Sequence, residues 1–115
     1  MSDKIIENNQ VTIMGEIISD FVFSHEVFGE GFYMVNVSVR RLSNSEDIIP
    51  LMISERLIDV SQNYSGEFVM VAGQFRSYNR HDELKNRLVL SVFVREITFI
   101  DEEMDGAKTN TILLD

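Results

Sequence analysis

Residues 67–100, "EFVMVAGQFRSYNRHDELKNRLVLSVFVREITFI", read as two long strands joined by a polar hairpin. In the first strand Val69, Val71, Gly73 and Phe75 fall on one face and Gln74, Arg76 and Tyr78 on the other, because strand side chains alternate. The hairpin carries Arg76, Arg80, Lys85 and Arg87, with Tyr78 and His81 among them. Four of the ten basic residues of the chain thus lie within twelve positions, although its net charge is −9. So acidic a chain gathers its positive charge on one ribbon.

Outward from that hairpin the pattern stays β. In "QVTIMGEII" (10–18) Val11, Ile13, Gly15 and Ile17 alternate with Thr12, Met14 and Glu16. "DFVFSHEVF" (20–28) continues with β-rich residues, and "GEG" (29–31) is turn chemistry leading into "FYMVNVSVRRL" (32–42). There Tyr33, Val35, Val37 and Val39 share one face, and Phe32, Met34, Asn36 and Ser38 the other. "SNSED" (43–47) is a polar turn, and "IIPLMIS" (48–54) a short strand whose Pro50 suits an edge or a strand start. "SERLIDVSQNY" (54–64) predicts the single helix, with Ser54 as N-cap, Glu55 in the first turn, and Leu57, Ile58 and Val60 on the apolar side. Ser65-Gly66 ends it. Five strands with a short helix between the third and fourth is the order of an all-β OB-fold barrel. A generic β-sandwich would want more strands and no central helix.

A chain of 115 residues, 44% of them hydrophobic, supports one domain with a modest core. The longest apolar run, "IIPLMI" (48–53), is far too short to span a bilayer, and "MSDKIIENN" lacks the basic and apolar regions of a secretory signal. No cysteine is present, which removes disulfides and thiolate metal sites and is compatible with a reducing cytoplasm. With no spaced His/Asp cluster either, no metal and no other cofactor is expected; His25 and His81 read as surface polar groups. The net charge argues against coating duplex DNA through bulk electrostatics, but leaves room for a local basic groove.

Three segments carry a resemblance. "NNQVTIMGEI" (8–17), with Asn9, Val11, Ile13, Gly15 and Ile17, resembles the first strand of bacterial single-stranded DNA-binding proteins. "GEFVMVAGQFRSYNRHDELKNRLVLSVFVREITFID" (66–101), with Val69, Val71, Gly73 and Phe75, is similar to their fourth and fifth strands. "NRLVLSVFVREITFID" (86–101) also resembles primosomal replication protein N, a smaller relative. The similarity covers roughly residues 8–101. It implies an OB-fold that associates as a homodimer or homotetramer through sheet edges, with replication or primosome proteins as further partners. The chain departs from the pattern in having no tryptophan: Ile48 and Arg80 stand where such proteins carry base-stacking tryptophans. The acidic tail ending in Pro-Phe is missing as well. The primosomal relative binds single strands with basic residues and few aromatics.

Single-strand binding needs cations along a track and flat side chains beside them. Gln74, Arg76 and Tyr78, about 7 Å apart in succession, supply a guanidinium and a phenol; the alternative is a cross-strand pair that covers the sheet. Arg80, Lys85 and Arg87 extend the track into the hairpin that OB-folds use for oligonucleotides. Asp82 and Glu83 at the tip partly cancel that charge, and Lys85 also fits a solvated loop tip. Of Arg40 and Arg41 only one can join the groove, since successive residues oppose; Arg40 is assigned to it. Phe28 and Phe32 are stacking candidates if exposed, and core or dimer contacts otherwise.

The tail "DEEMDGAKTNTILLD" (101–115) opens with four acids in five residues. From residue 102 it reads as an acidic linker. Its "NTILLD" spacing matches "NQVTIM", so it is either the start of a second similar domain or a C-terminal strand packed on this domain or a neighbour. Among functions, a non-catalytic single-stranded DNA-binding protein acting in replication, repair or recombination fits the ribbon. A protein-interaction module on the same scaffold fits the missing tryptophans and the acidity. An enzyme is disfavoured, because there are no paired carboxylates at metal spacing, no nucleophile motif and no phosphate-cradling loop.

Overall fold

The computed structural model describes residues 8–81 and 85–100, and for Arg80 and His81 the backbone alone. Asp82, Glu83 and the 102–115 tail, with its second-domain expectation, lie outside the described residues. Six strands form: β1 (Val11–Ile17), β2 (Val22–Val27), β3 (Glu30–Arg40), β4 (Glu46–Ser54), β5 (Phe68–His81) and β6 (Asn86–Ile100). They lie in the order β1-β5-β6-β4-β3-β2, and a further β1–β3 pairing closes the sheet into a ring. All neighbours are antiparallel except β4 and β6, which run parallel through Leu51↔Val92 and Met52↔Phe93.

Six strands appear instead of five because the first one breaks. β1 pairs with β5 along Val11–Glu16, and Glu16 and Ile17 also meet Ser38 and Val37 of β3. The Ser19 hydroxyl oxygen then accepts the amide of Asn36 at 2.9 Å, taking the place of a ladder bond. The chain resumes as β2, which pairs with the other half of the same β3 edge.

The alternation read from sequence holds through the core. Ile13 and Ile17 of β1, Val35 and Val37 of β3, Leu51 and Ile53 of β4, Val69 and Val71 of β5, and Val92 and Val94 of β6 are buried together inside the ring. Phe75 belongs to this inner face, opposite Val92, but lies past the rim and is exposed. Two glycines make the closure possible. A β-carbon at Gly15 would lie 2.5 Å from the Ser38 carbonyl oxygen. One at Gly73 would run into the Phe93 carbonyl, beside the bulge where β6 carries Arg95 as an extra residue.

The expected helix over 54–64 is not there. Its place is taken by separate turns, closed by Leu57 N–H to Ser54 C=O at 3.0 Å and Gln62 N–H to Asp59 C=O at 3.2 Å. Short polar side chains take the amides that a helix would need. The Ser54 hydroxyl oxygen accepts from Arg56 N–H at 3.0 Å, the Asp59 carboxylate from Ser61 N–H at 3.1 Å and the Ser61 hydroxyl at 2.6 Å, and Asn63 from Ser65 N–H at 2.9 Å. Such local bonds compete directly with helical ones. The apolar stripe still does part of its work, since Ile58 is buried in the core and Val60 packs on it.

Candidate nucleic-acid interface

Register decides which side chains meet outside the ring. Arg76 pairs with Ser91, Gln74 with Phe93, Tyr78 with Val89, and Arg80 with Arg87. Directly opposed residues share a face, so Gln74, Arg76, Tyr78 and Arg87 stand on the outer face of the β5–β6 ribbon, and the Arg80 backbone takes the matching position. Arg76, Tyr78 and Arg87 are exposed and Gln74 half-buried; Lys85 is exposed at the start of the return strand.

Ser91 is small and buried, which leaves Arg76 room to lean diagonally onto the Phe93 ring, its guanidinium carbon 4.0 Å from the centroid. Phe93 in turn lies 5.7 Å from Phe32 of β3, centroid to centroid. Phe32 pairs with Ser54, whose short side chain lets the two rings approach across β4. On the far side the His25 ring of β2 stacks on Phe32 at 5.1 Å and 12°, held by a 3.0 Å hydrogen bond between Ser24 Oγ and His25 Nδ1. Arg76, Phe93, Phe32 and His25 therefore form one continuous row of flat groups across the sheet. A guanidinium over a ring still has N–H groups to offer a phosphate and a cation to offer a base.

The sequence does not single out Phe93, reads His25 as a surface polar group, and leaves Phe32 open between base stacking and a core or dimer contact. Strand alternation puts Phe93 outside opposite Gln74, but only register, with its shift at Ala72/Gly73, brings Arg76 onto it. Ile48, where the resemblance expects a tryptophan, is exposed on the same outer face, opposite Ser38.

Arg40 is placed differently. It shares the outer face with Phe32, eight residues and about 27 Å further along β3. Its charge is offset by the directly opposed Glu46, 3.9 Å away. Arg41, on the other face, makes two bonds to the Asp47 carboxylate; this holds Asp47 below the ordinary carboxylate range and raises Arg41. Because β4 and β6 are parallel, the β3–β4 and β5–β6 hairpins leave the ring at the same end, so Arg40 flanks the ribbon rather than extending the row. Among the described residues no three His, Asp or Glu side chains converge on a possible metal position. Among them, too, no helix is long and apolar enough to cross a membrane.

No protein-family model and no curated protein matches the chain. Solved structures do. The dimeric N-terminal domain of PriB from Thermoanaerobacter tencongensis is 41% identical over 84% of this chain and all of that one, with a TM-score of 0.71. The single-stranded DNA-binding protein of Plasmodium falciparum, in complex with single-stranded DNA, shares the fold at 15% identity. Its TM-score is 0.65, over 88% of this chain and all of that one.

Proposed function

The chain belongs to the OB-fold family of PriB and the bacterial single-stranded DNA-binding proteins, and from that premise we propose that it binds single-stranded DNA without turnover, as a cytoplasmic replication or repair protein. The observation that carries this reading is the row Arg76–Phe93–Phe32–His25. It lines up planar groups across the sheet, with Arg76 at one end and His25 at the other, and continues up the ribbon through Tyr78, Arg87 and Lys85 as a cationic edge. Bases stack along the row, while phosphates follow the cations. Tryptophan is dispensable here, because Phe, His and a guanidinium plane supply the same stacking surface. The protein assembles as a dimer, as the N-terminal domain of its PriB relative does in its solved structure.

The test is fluorescence anisotropy of labelled oligo-dT at low and moderate salt, with wild type and the R76A/Y78A double variant. Binding that weakens tenfold or more in the variant, and weakens with salt in the wild type, supports the reading. Absence of wild-type binding at low salt and high protein concentration would instead favour a protein-interaction module.

A further inference from the structure

The β2–β3 hairpin turns on two residues, Phe28 and Gly29, between the paired Val27 and Glu30. Both have positive φ, 49° and 85°, the geometry of a type I′ turn. Asn, Asp or Gly is at home in the first of these positions, and a bulky aromatic there is an outlier that must be held against its own preference. Phe28 gains nothing from packing in exchange, for its side chain is fully exposed. The base of the hairpin, by contrast, is braced. Gly31 N–H donates to Glu55 Oε2 at 2.9 Å, Glu55 N–H donates to Gly31 C=O at 2.9 Å, and the Ser54 hydroxyl donates to Glu30. The ring is thus displayed on a fixed stem.

Its position along that stem matters. The His25–Phe32 pair that ends the aromatic row lies three residues before Phe28, about 10 Å away. Building on the proposed single-strand function, we infer that Phe28 is a further base-stacking residue, taking the nucleobase next beyond His25. The Glu26 carboxylate flanks the turn and would repel a phosphate, while Glu30 is engaged by the Ser54 hydroxyl and by Arg56. The contact is therefore with the uncharged face of a base, and the backbone of the strand passes on the other side.

The chain contains no tryptophan, so F28W creates a sole indole reporter at the turn. Addition of oligo-dT is expected to quench it in step with binding measured by anisotropy. F28N, which suits the positive φ, is expected to melt no lower than wild type while binding oligo-dT five- to one-hundredfold more weakly. The slope of log affinity against log salt should stay unchanged, because no phosphate contact is lost. R76A, in the same series, should lower that slope. Binding by F28W without quenching, or F28N affinity within twofold of wild type, overturns the inference and leaves the parent reading standing. So does a loss of affinity that tracks dissociation of a dimer in light scattering, which would assign Phe28 to a protein contact. A wild-type chain that fails to bind oligo-dT at all brings down both.

Discussion

At Gly15 the first strand passes so close to β3 that any side chain would displace the Ser38 carbonyl from the seam. We expect G15A to lose about 1–3 kcal/mol of stability in urea unfolding, with oligo-dT affinity falling only in proportion to the folded fraction. Asn9 does the opposite job, extending a strand instead of permitting a crossing. Its side-chain amide donates to the Phe75 carbonyl at 2.7 Å and accepts the Phe75 amide at 3.0 Å, so β1 gains two bonds to β5 before its own backbone pairing begins. N9A should cost about 1 kcal/mol, read as a lower urea midpoint with unchanged m. These positions were visible in the sequence as the spaced Asn9, Val11, Ile13, Gly15 and Ile17, but as a pattern without a reason. Phe93 shows the limit of such reading. What makes Arg76 its neighbour is a diagonal contact in one particular register over one small Ser91, and neither composition nor alternation encodes that.

Among elements, the 54–66 connection is the instructive one. Leu57, Ile58 and Val60 have helical spacing, and the core takes Ile58 as a helix would have offered it. The residues between them decide otherwise. Ser54, Asp59 and Asn63 recur every four or five positions, and each turns its side chain onto a nearby amide, so the backbone is fixed turn by turn. The Asp59 carboxylate is held below its ordinary range first by the Ser61 hydroxyl, then by the Ser61 amide and Gln62. A carboxylate depressed in this way contributes stability above its unfolded value, about 3.9, and loses it as pH falls through the lower folded value. D59N should therefore narrow the stability difference between pH 7 and pH 3, by lowering the neutral-pH melting temperature. The same short polar residues were plain in the sequence, yet the apolar periodicity around them outweighed their preference for turns. All-β character and the alternating faces were legible because both depend on period two alone, and the ribbon because its basic residues lie close together in sequence.

For the whole molecule, the acidity that argues against nucleic-acid binding is carried mostly by residues other than those described. Residues 8–81 and 85–100 hold ten carboxylates and eight cations, a net −2 out of the −9 of the chain. Residues 101–115 alone carry five acids and one lysine. A chain ending at Ile100 should bind oligo-dT a few-fold more tightly at low salt, and the difference should vanish as the Debye length shortens to about 3 Å near 1 M. The ring has a further consequence in time. Val11 pairs with Gly73, so β1 has no partner on one edge until some sixty residues beyond it have been added. Its other edge touches β3 at only two positions, Glu16 and Ile17. Local hairpins of β2–β3 and β3–β4 can form as they emerge, whereas the N-terminal strand must wait. Folding on the millisecond-to-second scale, with β1 the last element to gain protection from hydrogen exchange, is what a ring closed by so distant a pairing demands.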